Sequence, residues 1–327
     1  MTNENHSLLK IKDLSIVYGH GENKVHALRN INLNIFGSEC LGIAGESGCG
    51  KSTLAMSIMK LLPKNANYSQ GNCYFENTDL MSCNEKQMRS IRMKRIAMIF
   101  QNPMSCLNPF KRIGKQLEEG FFHQPNLSSS DIKNEVMDLL VQVKFDEPKR
   151  VYKSYPHELS GGMCQRVMIA MAISQKPELL IADEPTTALD VTTQKIVLDL
   201  LNELRLKYKM SMLFITHDLS VLSKMCDRIV VMYAGEVVEV ANKNEFFKNT
   251  KHPYSKNLIE ACPTLKGPKE EVLKAIPGLP PNLKAVPKLC SFLPRCDKKI
   301  TECENNEVNM IGSKGHYSRC HLSEDKF

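Results

Sequence analysis

No stretch of this 327-residue chain stays uncharged long enough to cross a bilayer as a helix. The longest run without Asp, Glu, Lys or Arg is the 15 residues from Ile96 to Phe110, and Asn102, Pro103, Asn108 and Pro109 interrupt it, where a spanning helix needs about 20 apolar residues. The opening residues, Met1 to Asp13, lack the basic start and apolar centre of a secretory leader, so the expected compartment is the cytosol. There is no internal repeat and no low-complexity tract. Charge of one sign is missing too. The chain carries 43 Lys and Arg against 36 Asp and Glu, a net of +7, with the two signs interspersed. That pattern reads as a solvated surface, with no nucleic-acid groove and at most a mild attraction to an anionic inner leaflet. A hydrophobic fraction of 42% and a charged fraction of 24% exclude disorder. The 12 cysteines are not read as a disulfide framework, because cytosolic thiols are kept reduced.

What is present is an alternation of strands and helices. Apolar residues alternate from Leu8 to Tyr18 and from Val25 to Phe36, and Leu41 to Ala44 is a short apolar run leading into a glycine-rich turn. Lys51 to Leu62 reads as a helix stopped by Pro63, and Arg95 to Phe100 as a further strand. Between about Pro109 and Lys176 the pattern is helical, with Ile132, Val136, Leu139, Leu140 and Val143 on one face behind the cap-like Ser128 to Asp131. Leu179 to Ala182 and Met212 to Thr216 are strands that flank a helix with Val197, Leu200, Leu201, Leu204 and Tyr208 on one face. Such alternation implies an α/β fold with a mostly parallel sheet. After Val240 the chain becomes proline-rich, with Pro253, Pro263, Pro268, Pro277, Pro280, Pro281, Pro287 and Pro294. This favours irregular backbone held by something other than a large core.

Gly45-Glu46-Ser47-Gly48-Cys49-Gly50-Lys51-Ser52, followed by Thr53, fits the phosphate-cradling loop G-x-x-x-x-G-K-[ST]. A strand, a glycine turn and a helix start aim several backbone N–H groups and a helix dipole at one point. Lys51 is expected to reach the β- and γ-phosphates of ATP, and the Ser52 hydroxyl to ligand Mg²⁺. Cys49, within the loop, is read as incidental, with sensitivity of the site to thiol reagents as the alternative. Leu179 to Glu184 resembles the second nucleotide motif, a buried strand that delivers two carboxylates at its end. Asp183 would hold Mg²⁺ through water, and Glu184 would act as general base on the attacking water.

Leu159-Ser160-Gly161-Gly162-Met163-Cys164-Gln165-Arg166 closely resembles the signature of ATP-binding-cassette (ABC) ATPases. The resemblance covers residue 8 to about 240 and implies a P-loop (RecA-like) core with a helical subdomain at about 102–176. It also implies further roles. His217 stands at the switch histidine that contacts the γ-phosphate, and Gln101 at the glutamine that senses Mg²⁺ and the attacking water. Tyr18 stands at the aromatic that stacks on adenine, and Asp190 ends the Ala188-Leu189-Asp190 loop that crosses between paired cassettes. In ABC proteins the Ser and Gly amides of one cassette close over the γ-phosphate held by another, so Ser160, Gly161 and Gly162 imply a second cassette. The usual Gln of the signature is replaced here by Met163, a departure that leaves the phosphate-facing positions in place.

Gln101 to Phe110, His252-Pro253-Tyr254-Ser255-Lys256-Asn257-Leu258 and Ser291-Phe292-Leu293-Pro294-Arg295-Cys296 are together similar to the ATPases of oligopeptide/dipeptide importers. That resemblance implies a peripheral subunit on the cytoplasmic face of the membrane. Its partners would be a second, related ATPase subunit and two transmembrane permease subunits, with an extracytoplasmic peptide-binding protein engaged indirectly. Nickel or another small solute is the alternative cargo, and a soluble ABC ATPase acting on DNA or ribosomes the alternative class. The division expected is an ATPase domain over 1–240 and a C-terminal domain over 241–327.

Cys290, Cys296, Cys303 and Cys320 crowd into the last part of the chain with C-x5-C-x6-C-x16-C spacing. A metal or cluster in place of a hydrophobic core is one reading, and free thiols packed as small hydrophobes the other. Zinc commonly uses a C-x2-C knuckle, which is missing, although His316 and His321 are nearby. Four cysteines without short knuckles suit a [4Fe–4S] cluster, and the resemblance to peptide-importer ATPases points the same way, because members with this pattern bind one.

Overall fold

Alternating apolar side chains build the first sheet. Ser7–Tyr18 (β1) pairs antiparallel with Val25–Phe36 (β2), in a register that sets Ile11 opposite Leu33 and Ile16 opposite Leu28. Leu9, Ile11, Leu14 and Ile16 of β1 and Leu28, Ile31 and Ile35 of β2 are buried to within 1% of their surface. Cys40–Ala44 (β3) follows, buried at every residue as a parallel strand covered on both faces requires, and feeds the helix Lys51–Ile58 (α1). Ala66–Phe75 (β4) then pairs antiparallel with β1, and Thr78–Asp79 (β5) with β4, completing a sheet of order β2-β1-β4-β5. The computed structural model describes residues 7–122, 124, 126–262, 276–285 and 287–323. The residues Met1 to His6, and Pro263 and Pro268, lie outside the described residues.

Two compact units divide the chain, one made of the residues up to Cys83 together with those from Phe214, the other of Asn84–Leu213. In the second unit, Glu85–Lys94 (α2) starts from a capping box in which Asn84 and Gln87 exchange side-chain-to-backbone bonds. Ile96–Ile99 (β6) then pairs in parallel with the fully buried Leu179–Asp183 (β7). Between these strands the chain is helical, as its periodicity predicts: Pro103–Cys106 (α3), Ile113–Glu118 (α4), Ser129–Gln142 (α5), Pro148–Lys153 (α6) and Gly161–Ile173 (α7). The expected cap of α5 is a capping box between Ser128 and Asp131. Val191–Tyr208 (α8) buries Val197, Leu200, Leu201 and Leu204 on one face.

Ser211–Ile215 (β8), buried throughout, carries the chain back to the first unit. There Leu219–Met225 (α9) precedes Arg228–Tyr233 (β9), which pairs in parallel with β3, and Glu236–Asn242 (β10) turns back antiparallel to β9. The helices Lys243–Lys248 (α10), Pro253–Glu260 (α11) and Thr301–Asn305 (α12) follow, and then Ile311–Ser313 (β11) and His316–Ser318 (β12), the latter adding antiparallel to β10.

Two local expectations are corrected. The helix expected over Lys51 to Leu62 ends at Ile58, because Lys60 adopts a left-handed conformation (φ 51°) and its amine is tied to the carbonyls of Met81 and Cys83 at 2.9 and 2.6 Å. The terminator is therefore Lys60 and not Pro63. The proline-rich segment also has a core of its own. Tyr254 and Phe292 are at most 1% exposed and pack with Tyr233 at ring separations of 4.6 and 5.3 Å, and with each other at 5.3 Å.

Candidate nucleotide site and cysteine pocket

Strand β3 delivers the glycine loop, and the backbone there demands glycine. Gly45 has φ 150°, and a Cβ on it would lie 2.3 Å from the Met232 carbonyl oxygen; Gly50 has φ 108°, and a Cβ would lie 2.7 Å from the Ala27 carbonyl oxygen. No side chain caps the first turn of α1, because its N-cap is Gly50, which leaves that turn's amides directed at the loop's concavity. Lys51 is 6% exposed and donates from Nζ to the carbonyls of Gly45 and Glu46 at 2.8 and 3.0 Å. Its ammonium is thus held inside the loop. The Tyr18 and Thr53 hydroxyls lie 3.4 Å apart, so the expected adenine-stacking ring stands beside the end of the loop. His217 is exposed after β8, and the next residue, Asp218, caps α9 by accepting from the Ser220 and Val221 amides.

Burial pushes the Cys49 thiol up, and Lys51 only partly opposes this. The side chain is 4% exposed. This argues against the alternative of thiol-reagent sensitivity, which needs an accessible thiolate.

In the second unit, β7 ends in Asp183, 6% exposed, and Glu184 follows with φ 46°. That conformation is uncommon for a residue with a side chain and is typical of strained functional positions. Glu184 Oε2 accepts from Gln101 Nε2 at 3.0 Å and from the Thr187 hydroxyl at 2.8 Å. The structure therefore joins two residues that the sequence resemblance lists separately, and adds Thr187, which sequence reasoning missed. Ser160 is the N-cap of α7 and accepts from the Met163 amide at 3.3 Å. The cap uses the backbone of Met163, so the departure from Gln leaves it unchanged. Gly161 is open to solvent, whereas a Cβ on Gly162 would lie 2.4 Å from Thr193 Cγ2. Thr193 in turn donates to Asp190 from its amide at 3.0 Å and from its hydroxyl at 2.7 Å, which links the signature helix to the Asp190 loop.

Glu46, inside the glycine loop, is gripped by the C-terminal part of the same unit. Its carboxylate takes both Arg295 Nη1 (2.7 Å) and Nη2 (3.0 Å), a bidentate pair, and its amide donates to the Tyr254 hydroxyl at 2.8 Å. Arg295 is 8% exposed and also donates to the Pro277 carbonyl. Sequence reasoning quotes Tyr254 and Arg295 without assigning them this role. The signal available to it was an arginine and a tyrosine in a segment otherwise poor in periodic apolar residues.

Cys290, Cys296, Cys303 and Cys320 line one small pocket with Phe292, Leu293, Val308 and His252. Among the described residues, no group of three or more His, Cys, Asp or Glu side chains stands close enough to hold a metal ion. Burial pushes the Cys290 thiol up to about 11 and raises Cys296 and Cys320, and the neighbouring thiols add to it. His252, 1% exposed, caps α11 by accepting from the Tyr254 amide through Nδ1 at 3.1 Å, and its own amide donates to Glu239 Oε2 at 3.0 Å. Burial pushes its imidazole down to about 4, Glu239 notwithstanding. Glu239, fully buried, also accepts from the Lys251 amide and pairs with His316 Nε2, both at 2.8 Å. His316 is thus committed to Glu239, and His321 Nε2 pairs with the Asn306 carbonyl.

A strand, phosphate loop and helix in the first unit, and in the second a buried strand that ends in an acidic pair and a signature-type helix start, are the parts of a nucleotide-binding cassette. Residues 28–187 match the ABC transporter family, and residues 238–303 match the oligopeptide/dipeptide transporter C-terminal region. The oligopeptide transport ATP-binding protein OppD of Bacillus subtilis (strain 168) is 46% identical over 87% of this chain and 80% of its own length. OppD of Escherichia coli (strain K12) is 43% identical over 91% and 88%. Among solved structures, the dimeric post-hydrolysis state of the ATP-binding cassette MJ0796 bound to ADP and Pi is similar with a TM-score of 0.65 at 30% identity, over 72% of this chain and 98% of that one. The chain belongs to the ATP-binding subunits of ABC transporters, in the oligopeptide/dipeptide transporter group. No helix among the described residues is long and apolar enough to cross a membrane.

Proposed function

We propose that this chain hydrolyses ATP to power uptake of di- and oligopeptides through an ABC importer, as a peripheral subunit on the cytoplasmic face of the membrane. The observation that carries this reading is the continuity of the cassette with the oligopeptide/dipeptide transporter C-terminal region, in a chain 43 to 46% identical over most of its length to oligopeptide transport ATP-binding proteins. Residues 1–240 form the ATPase domain, with the helical subdomain at about 102–176, and 241–327 the C-terminal domain.

Residues Gly45 to Thr53 bind the phosphates through amides and Lys51, with Tyr18 against the adenine. Ser52, Gln101 and Asp183 would hold Mg²⁺, which would supply charge neutralisation at the β- and γ-phosphates. Glu184 takes the proton of the attacking water, oriented for it by Gln101 and Thr187, and His217 contacts the γ-phosphate. Ser160, Gly161 and Gly162 close over the nucleotide of a second, related cassette, with Asp190 crossing between the two. The exposed Met104 and Phe110 offer apolar anchors for cytoplasmic helices of two membrane subunits, which cassette closure carries along.

The cysteine pocket belongs to the same reading. Cys290, Cys296, Cys303 and Cys320 would ligate a [4Fe–4S] cluster, which would brace the C-terminal domain and make it responsive to iron or redox state. In support, the donor set is four thiols on an apolar wall, and each would bind a different iron, so the four need not surround a single point.

The test of the transport reading is reconstitution with two polytopic membrane subunits in proteoliposomes, with ATP and a labelled peptide. ATP-dependent uptake that disappears in Glu184→Gln supports it. Recovery of the chain with ribosomes or DNA, and no peptide uptake, overturns it. Iron, acid-labile sulfide and zinc content after anaerobic purification, compared with Cys296→Ser, tests the cluster.

A further inference from the structure

The run from Pro277 to Leu283 is tied to both ends of the nucleotide site, and both ties lie within the first unit. At one end Arg295, whose guanidinium holds the Glu46 carboxylate of the phosphate loop, also donates to the carbonyls of Pro277 at 2.8 Å and Ile276 at 3.3 Å. Gly278 lies against the same side chain, since a Cβ on it would stand 3.4 Å from Arg295 Cγ. At the other end the His26 amide donates to the Leu283 carbonyl at 3.0 Å, and Lys284 Nζ donates to Asn23 Oδ1 at 3.5 Å. In the pairing of β1 with β2, His26 is opposite Val17, and Val25 is opposite Tyr18, the residue expected to stack on adenine. The segment therefore runs from the loop that takes phosphates to the turn beside the adenine-stacking ring.

The composition of this run makes it stiff. Gly278 has φ 76°, a left-handed conformation suited to glycine. Pro280 and Pro281 fix their own φ and push the residue before each into extended backbone. Asn282 ends the run in a turn, its Oδ1 accepting the Lys284 amide at 3.0 Å and its carbonyl the Ala285 amide at 3.2 Å. On this frame Leu279 is 87% exposed. It is two residues from Pro277, so its Cα lies within about 7 Å of that anchor. An apolar side chain held out on a rigid frame loses little further entropy when it is covered. We propose that Leu279, with Pro280 and Pro281, is a wall of the ATP site that covers the sugar and base of a nucleotide held by Gly45 to Thr53 and Tyr18. This rests on the ATPase reading above and adds to it a ligand-binding role for the C-terminal segment. Leucine and proline side chains neither donate nor accept hydrogen bonds. The wall therefore buries a face of the nucleoside and leaves its hydrogen-bonding edges unread.

The test compares equilibrium binding of ATP and of inorganic tripolyphosphate, both with magnesium, to the full chain as wild type and Leu279→Ser. Tripolyphosphate engages the phosphate loop but has no sugar or base. Because Leu279 is exposed, the variant is expected to keep the denaturant midpoint of wild type. Its affinity for ATP is expected to fall by roughly 3- to 10-fold, the loss of one partly buried apolar contact, while its affinity for tripolyphosphate stays the same. A second readout needs no variant: in hydrogen exchange on wild type, the peptide containing Gly278 to Leu283 should be protected by ATP and not by tripolyphosphate. Unchanged ATP affinity in Leu279→Ser, or no ATP-specific protection of that peptide, overturns the wall. An equal loss for both ligands overturns it too, since Leu279 would then act on the phosphate loop and not on the nucleoside. Wild type that binds neither ligand overturns the ATPase reading, and this inference with it.

Discussion

Glu184 stands one residue past a buried strand, in a left-handed conformation, with its carboxylate bonded to Gln101 and Thr187. A side chain fixed by two donors is aimed before substrate arrives, which is what a general base requires. Glu184→Gln keeps the shape and removes the proton acceptor. Phosphate release should fall about 100- to 10,000-fold, while equilibrium binding of labelled ATP should be retained. Cys49 gives the opposite kind of prediction. Its thiol is buried and its pKa raised, so mass-mapped iodoacetamide labelling of the native chain should modify the exposed Cys106 well before Cys49. Faster labelling of Cys49 would contradict the packing described. The roles of Lys51, Ser52, Asp183 and Glu184 are legible in the sequence because their spacing is itself the chemistry. The hydrogen bond from Thr187 is not, because it depends on how the turn after Glu184 folds.

At the scale of elements, strands and caps are legible where a local rule decides them, as in the alternation of β1 and the Ser128 cap of α5. The end of α1 is not, because Lys60 takes a conformation usually given to glycine and is held there by carbonyls about twenty residues downstream. Helix α8 carries a pH prediction. The Asp190 carboxylate is held below its ordinary range by the Thr193 hydroxyl and amide. A carboxyl whose folded pKa is lowered binds its proton more tightly in the unfolded chain. Its stabilising contribution is therefore complete above the ordinary Asp range and is lost as pH falls through the folded value. In denaturant titrations below pH 4, Asp190→Asn should lose less stability on acidification than the parent, since its cap oxygen does not titrate. Equal slopes would show that the carboxylate contributes no acid dependence.

Across the first unit, the contact that matters most could not be read from the sequence. Glu46 and Arg295 are 249 residues apart and Glu46 and Tyr254 are 208 apart, and nothing local to either end announces the pairing. The aromatic cluster of Tyr233, Tyr254 and Phe292 was hidden for the same reason, and the proline-rich segment looked coreless. Arg295→Met should destabilise the protein by about 2–3 kcal/mol through lost charge-assisted hydrogen bonds, read as a lower denaturant midpoint, and should weaken ATP binding, because Glu46 is released within the phosphate loop. Unchanged nucleotide affinity in a folded variant would show that the pair only anchors the C-terminal segment.

That long-range grip also sets an order of events during synthesis. The phosphate loop leaves the ribosome early, whereas Arg295 follows 249 residues later, a lag of about 12 to 50 seconds at typical elongation rates of 5–20 residues per second. Through that interval the growing chain holds a phosphate loop whose Glu46 has no guanidinium partner. Translation as far as Arg295 is therefore what completes the contacts of the loop.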